Sequence, residues 1–387
     1  VVISKNTVGK ELGETNESKG GLEMKKFAAI IVVFVLAGYL GGDVFSPSSV
    51  QAQTPAYKMD LQCWPQGGPY FEQVKFFGKR VEKYSNGRIK VNVMPGGTVC
   101  PMTKEFEALE TGALKWAVTS HNFNLGRFGR VGGLFGADPA GPNATEIFAW
   151  YRYGEAHKYW AEMLKRAKAD LMVIGGPLHL TGAESFGWFK KPITSLNDFK
   201  GMKYRCMGLY GEVAKKMGAA VVNLPGGEIY QAFERGVIDG FEYCTPAMDL
   251  SAGFQNLKAV RMEPGMQSTT SMSSLMVRRD TWEKLPDEFK VIIEAASWGG
   301  MEDYAWSTLE DAKAIRKFEE MGVKTHFLPQ EVQREIVKQI EILYEEFSKA
   351  DPFFKQVNDS RNQFLKEFRS VDYVVQPRYD WKYSFSK

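Results

Sequence analysis

The stretch "GMKYRCMG" alternates like a strand and carries Arg205 at its exit. An arginine at the end of a buried strand needs an anion, because taking a guanidinium out of water is costly unless it is paired. Its planar fork matches a carboxylate with two parallel hydrogen bonds, which makes Arg205 a candidate clamp for a small organic acid. The same chemistry also allows an internal salt bridge to a glutamate. Two glutamates compete for that role: Glu242 ends the strand in "GFEY", and Glu184 lies in "LHLTGAESFGWF", a loop entering a strand. If both share a cleft with Arg205 and an incoming carboxylate, the site is net negative at low dielectric. A bound sodium or calcium ion would offset that charge, held by Glu184, Glu242, a backbone carbonyl and the ligand itself. A ligand bearing its own ammonium or hydroxyl donors is the alternative.

Motifs for catalysis are missing. The four histidines (His121, His157, His179, His326) are scattered, and the chain has no GxSxG elbow and no HExxH helix. "LPGGE" lacks the Lys-Ser/Thr of a phosphate loop and reads as a turn before a helix. An enzyme reading therefore rests only on Glu184 or Glu242 as a base whose pKa is raised by its acidic neighbour.

The elements that must position these residues are α/β. "YKMDLQCW" alternates as a strand, Tyr70 to Tyr84 places Phe71, Val74, Phe77 and Val81 on one helical face, and Arg88 to Met94 is a second strand ending at Pro95-Gly96-Gly97. Next, "KEFEALETGALKWAV" from Lys104 has an ungapped echo in "GEIYQAFERGVIDGFE" from Gly227, where Phe106 matches Tyr230, Glu110 matches Glu234 and Gly112 matches Gly236. Helix, glycine, strand is a common grammar, so the echo is either chance or a pair of similar lobes. On the second reading ligands bind at the strand tips, where the lobes face each other. The tips are Thr119-Ser120-His121 and Glu242-Tyr243-Cys244, so Ser120, Tyr243 and Trp64, at the tip of the first strand, join the candidate ligand contacts; Trp188 is a further aromatic beside a tip. Pro286 to Met321 is a long helical stretch interrupted at Gly299-Gly300 that would bridge both lobes, Val323 to Leu328 is a strand, and Pro329 to Arg369 is helical with a break at Asp351-Pro352.

Composition agrees with a two-lobed soluble protein: 387 residues, 44% hydrophobic and 25% charged, with a net charge of +3. The basic residues are spread out, which excludes a nucleic-acid footprint. Met24-Lys25-Lys26, the apolar run Phe27 to Leu40 and the small-residue site "VQA" form a secretory signal, with cleavage after Ala52 and residues 1–23 as an over-extended start. The run is shorter than the ~20 residues that span a bilayer. In an oxidising compartment Cys63 with Cys100, and Cys206 with Cys244, are each placed to pair within a lobe or to stay as buried thiols, and their spacing fits no zinc pattern.

With these residues in place, the chain resembles the periplasmic solute-binding proteins of tripartite ATP-independent (TRAP) transporters, particularly the branch for 2-oxo acids and similar monocarboxylates. The resemblance covers the mature chain and is carried by "GWFKKPITSLNDFKGMKYRCMGLYGEVAKKMGA", "NLPGGEIYQAFERGVIDGFEY" and "EPGMQ" followed by "WEKLPDEFKVII". It implies two α/β lobes with mixed or parallel sheets closing on the ligand. Lobe I would span approximately 53–178 plus 268–290 and lobe II approximately 179–267 plus 323–330, with a spanning helix near 286–321 and C-terminal helices over 331–370. It implies no catalysis, a periplasmic location and delivery of the ligand to a membrane permease; a sensor that presents its loaded form to a receptor would use the same pocket. The arginine that receives the ligand carboxylate matches Arg205. A cation is held in this branch by a glutamine matching Glu184 and by the "EW" pair matching Glu242-Tyr243. Here glutamate replaces the glutamine and tyrosine the tryptophan, which adds charge toward a divalent ion and changes the wall facing the substrate. "EPGMQ" also lacks the tryptophan of the "PGWHEP" pattern. Some members dimerise by exchanging the C-terminal helix, which fits the long amphipathic tail.

Overall fold

The computed structural model describes residues 56–375, with side chains to Val371. The expected over-extended start, the signal segment and the end of the tail lie outside the described residues. Strands β1 (Tyr57–Cys63), β2 (Ile89–Met94), β3 (Trp116–Thr119), β4 (Leu171–Leu180) and β10 (Met272–Arg278) form one sheet in the order β2-β1-β3-β10-β4. The second sheet is built from β5 (Gly187–Phe189), β6 (Lys203–Arg205), β7 (Ala220–Val222), β8 (Gly240–Phe241), β9 (Val260–Glu263) and β11 (Thr325–Phe327), in the order β11-β9-β5-β8-β6-β7. Both sheets are mixed. In the first, β1 runs parallel to β2 and β3, and β10 is antiparallel to β3 and β4. In the second, β6 runs parallel to β7 and β8, and β5 is antiparallel to β8 and β9.

The internal echo is therefore topological. The trio β2-β1-β3 and the trio β7-β6-β8 have the same order and direction, and each is flanked by an antiparallel strand, β10 or β5. Helices α2 (Glu105–Thr111) and α4 (Ile229–Glu234) precede β3 and β8, and each is stopped by a glycine in the left-handed region, Gly112 at φ 78° and Gly236 at φ 71°. Trp64 and Arg205 thus leave the central strands of equivalent trios.

Helix α1 (Gly68–Tyr84) buries Val74, Phe77 and Val81 against Met59, Leu61 and Ile89, the inward residues of the strands it connects. The long helical stretch is two helices, α5 (Asp287–Ser297) and α6 (Gly300–Glu320), divided where the sequence places Gly299-Gly300. Gly300 packs on backbone: a Cβ there would lie 2.0 Å from the Pro177 carbonyl. Helix α6 joins the two halves of the molecule. Near its start Asp303 accepts a bidentate pair from Arg80 of α1, at 2.7 and 2.6 Å; farther along, Asp311 accepts from the Ala247 amide at 2.9 Å, and Phe318 meets Trp188 edge-on at 5.4 Å.

The C-terminal helices α7 (Gln330–Ala350) and α8 (Pro352–Val375) break at Asp351, whose carboxylate caps the second by accepting from the Phe353 amide at 2.9 Å. Val332, Ile336, Ile340 and Leu343 face inward as their spacing requires, and with Phe353, Phe354 and Val357 they join the largest apolar core of the same chain. All four cysteines are free thiols, the second of the two alternatives left open by the sequence, with Cys63, Cys206 and Cys244 buried. Among the described residues no helix is long and apolar enough to cross a membrane.

Candidate functional site

A cavity of about 460 Å³ opens where the tips of the two parallel trios meet. Trp64 and Gln66 follow β1, Gly96 and Gly97 follow β2, Arg205 and Met207 follow or end β6, Asn223 to Gly227 follow β7, and Glu242 to Cys244 follow β8. The two segments connecting the sheets complete the wall, with Glu184 after β4 and Gln267, Ser268 and Ser271 before β10. The walls approach closely: a Cβ on Gly227 would lie 3.9 Å from Oε1 of Gln66, and one on Gly226 would lie 2.8 Å from the Tyr243 ring.

Arg205 is only 3% exposed, and much of its fork is already used by the protein. Nη1 donates to Glu242 Oε1 at 2.8 Å and to the Glu242 carbonyl at 2.7 Å, while Nε donates to the Leu224 carbonyl at 3.1 Å. Among the described residues Nη2 meets only the Met207 sulfur, at 3.1 Å. The internal salt bridge that the sequence left open is thus present, and an incoming anion would be received through Nη2 rather than through the full fork. The cause is local. Parallel pairing of β6 with β8 sets Arg205 opposite Phe241, so the next residue of the neighbouring strand, Glu242, reaches it directly.

Glu242 is held twice, since its Oε1 also accepts from the Met207 amide at 3.0 Å. Burial raises its pKa, opposed by Arg205 and that amide, and of the two glutamates it is Glu242 that has the guanidinium as a direct partner. Glu184 is the other case. It is buried with no cationic partner among the described residues, and burial, Glu242 and Asp249 raise its pKa well above the usual carboxylate range, with Ser268 and Arg205 pulling weakly the other way. Its loop is tightly fixed: the Glu184 amide donates to the Ser268 carbonyl at 3.1 Å, and a Cβ on Gly265 would lie 1.8 Å from the Glu184 carbonyl oxygen. Glycine in "EPGMQ" is therefore required by this contact.

A cation fits this donor set. Glu184, which has no cationic partner among the described residues, lines one cavity with Glu242 and Tyr243, and carboxylates and backbone carbonyls are the oxygen donors a hard ion takes. Among the described residues no group of three or more His, Cys, Asp and Glu side chains is gathered as a metal cage, so an ion here would lean on neutral oxygens and on the ligand.

The remaining sequence candidates divide. Trp64 and Tyr243 line the cavity. Trp64 Nε1 donates to Ser273 Oγ at 3.1 Å and its ring meets Phe123, Tyr70 and His179 edge-on, while Tyr243 packs on Phe254 at 5.2 Å. Ser120 does not reach the cavity. The chain turns into a short 3-10 helix at His121, and the Ser120 hydroxyl caps it by accepting from the Asn122 amide. His121 points into the core, where Nε2 accepts from Trp160 at 2.9 Å and burial lowers its pKa to about 3. The residues of this tip that line the cavity are Asn122 and Phe123. Trp188 is also core, its indole donating to buried Asp249 at 2.8 Å.

Sequence reasoning missed the two glycine turns, Gly96-Gly97 and Gly226-Gly227, and the Gln267–Ser271 segment. The rule used for β3 and β8 would have found the turns had it been applied to β2 and β7, since each follows a parallel strand. A larger groove of about 920 Å³ lies along β4 and the helix Ala156–Arg166, but its charges are exposed or paired with one another, as Arg279 is with Asp170 at 3.0 Å.

Residues 62–350 match the model of the bacterial extracellular solute-binding proteins, family 7. A monocarboxylate 2-oxoacid-binding periplasmic protein of Nostoc sp. is 29% identical over 337 residues, covering 86% of this chain and 91% of that protein. A TRAP transporter solute-binding protein of Bordetella bronchiseptica superposes with a TM-score of 0.77 at 25% identity, covering 83% of this chain and 95% of that one; it is a mixed-occupancy dimer with copurified calcium and picolinate in an active site, against an apo site. A TRAP periplasmic solute-binding protein of Pseudoalteromonas atlantica, with bound sodium and pyruvate, superposes at 0.76 and 26% identity over 82% of this chain and 96% of that one.

Proposed function

We propose that this chain, which belongs to family 7 of the bacterial extracellular solute-binding proteins, captures a 2-oxo or 2-hydroxy monocarboxylate together with a sodium or calcium ion and delivers it to a TRAP membrane permease. The observation that carries the reading is Glu184, a buried carboxylate without a cationic partner, in one cavity with a guanidinium that keeps one nitrogen free of protein oxygens. A lone anion would be repelled by Glu242 and would hold Glu184 in its protonated form, and a lone cation would meet Arg205. Acid and ion together leave each charge with an opposite neighbour.

In this reading Arg205 Nη2 receives the carboxylate, Glu184, Glu242 and the Tyr243 carbonyl hold the ion, and Trp64 and Tyr243 wall the short carbon chain. Lobes of approximately 53–178 plus 268–290, and 179–267 plus 323–330, close by bending the segments that carry Glu184 and Gln267. The chain works in the periplasm after export on residues 24–52. It binds without chemical change, and the relative from Bordetella bronchiseptica supports a dimer, for which the C-terminal helix is the proposed element.

Native mass spectrometry of freshly purified protein, followed by denaturation and identification of the released molecules, tests the reading. A short monocarboxylate and one sodium or calcium ion are expected, and pyruvate titrated calorimetrically should bind more tightly with the ion present. Release of an altered acid would favour an exported enzyme, and absence of any acid, with no heat from pyruvate or lactate, would overturn the capture reading.

A further inference from the structure

The cavity wall depends on a group well outside it. Ala137 lines the cavity, and the next residue, Asp138, points the opposite way into the protein, where it is 1% exposed. Its carboxylate accepts from Arg361 of α8 and from the Tyr344 hydroxyl of α7. Arg361 is itself buried and is fixed by Asn358, whose side-chain oxygen accepts from Nη2 at 2.7 Å. The loop is wound closely round this carboxylate: a Cβ on Gly141 would lie 2.3 Å from Asp138 Oδ2.

From Asp138 the contacts run to three parts of the wall. Gly136 packs on the Asn122 side chain, with room for no Cβ, since one would lie 2.6 Å from the Asn122 Cβ. The Ala140 amide donates to the Met266 carbonyl at 2.9 Å, and the Thr269 hydroxyl donates to the Pro142 carbonyl at 2.9 Å. These bracket Gln267 and Ser268, and the Ser268 carbonyl accepts from the Glu184 amide. None of the three parts touches a C-terminal helix through these bonds except by way of the Asp138 loop.

We propose that Arg361 and Tyr344 are positioning residues for the ligand site, holding through Asp138 the wall formed by Asn122, Ala137 and Gln267–Ser268, so that the C-terminal helices set ligand affinity. The inference deepens the capture reading and rests on it only for the choice of ligand. It separates α7 and α8 from a purely structural role, in which they would cover apolar core and nothing more.

The test uses the full mature protein carrying Arg361→Met, Arg361→Lys, Tyr344→Phe or, as a control, Arg369→Ala. The control breaks the 2.6 Å pair between Arg369 and Glu146, which ties α8 to α3 (Ala144–Tyr153) without touching Asp138. Hydrogen exchange of the free protein and pyruvate titration with calcium are the two readouts. Arg361→Met is expected to speed exchange at residues 120–123, 184 and 265–271 and to weaken pyruvate about tenfold, Arg361→Lys to restore part of both, and Arg369→Ala to change neither. If Arg361→Met does not fold, Tyr344→Phe removes one hydroxyl and should give the same pattern at about two- to threefold. Faster exchange confined to α7, α8 and residues 137–142, with wild-type affinity, overturns the proposal. If the unsubstituted protein binds no pyruvate, the capture reading fails, and the exchange pattern alone decides the positioning role.

Discussion

Replacing Arg205 by methionine separates what the guanidinium does for the fold from what it does for a ligand. In the fold it neutralises Glu242 and supplies donors to the carbonyls of Leu224 and Glu242, all within a site where the arginine is 3% exposed. Removing one partner of such a pair leaves a buried charge uncompensated, and Arg205→Met should cost about 3–5 kcal/mol. Adding Glu242→Gln removes that stranded charge and should return about 1–3 kcal/mol, the coupling expected between residues in contact. For a ligand the effect is smaller than a bidentate clamp would give, because Nε and Nη1 are already committed. Losing the bond through Nη2 is worth about 1.5–3 kcal/mol, or roughly 10- to 150-fold in affinity. Urea unfolding of the wild type, both single variants and the double variant gives the first pair of numbers, and calorimetric titration with pyruvate and calcium gives the second. The reasoning is wrong if Arg205→Met unfolds within about 1 kcal/mol of wild type, or if the added Glu242→Gln lowers stability further.

Other outcomes follow from the same cavity. The raised pKa of Glu184 means that the folded protein binds this proton more tightly than the unfolded chain, so its contribution favours folding at low pH and is lost as pH rises from the ordinary 4.5 through the raised folded value; Glu184→Gln should remove this decline in urea midpoints, and identical pH profiles would contradict the assignment. A cation beside Glu184 lowers that pKa, so calcium uptake at a pH where the site is still protonated should release a proton, seen as heats that differ between buffers of different ionisation enthalpy and equal heats in the Gln variant. Gly265→Ala should cost more than about 1–3 kcal/mol and disturb binding, since the new Cβ meets the Glu184 carbonyl at 1.8 Å; retained stability and affinity would show that the loop yields.

Elements with strong local signals were legible in the sequence: the amphipathic faces of α1 and α7, the glycine stops at 112 and 236, and the break at Asp351-Pro352 all depend on neighbours within a turn or two. The echo reached further because a repeated strand, helix, strand unit leaves its mark on spacing, and it located the meeting of strand tips before any partner was known. What remained hidden depends on contacts between distant residues. Ser120 turns away because the chain continues into a 3-10 helix, a choice of a few backbone angles. Trp188 is core because Asp249, 61 residues on, accepts its indole. Arg205 has lost most of its fork to Leu224 and Glu242, which become its neighbours only when β6 is paired in parallel with β7 on one side and β8 on the other.

The pairing of Asp138 with Arg361 spans 223 positions of sequence, which sets an order in time. A chain made from its N-terminus acquires every residue that lines the cavity, from Trp64 to Ser271, well before it acquires the cation that neutralises Asp138. Until residue 361 arrives, the loop behind Ala137 holds a carboxylate with its arginine still missing, so this pair can form only late in synthesis. Arg361 would then complete the wall, and a chain interrupted before it would hold every residue that lines the cavity while its binding wall was still unset.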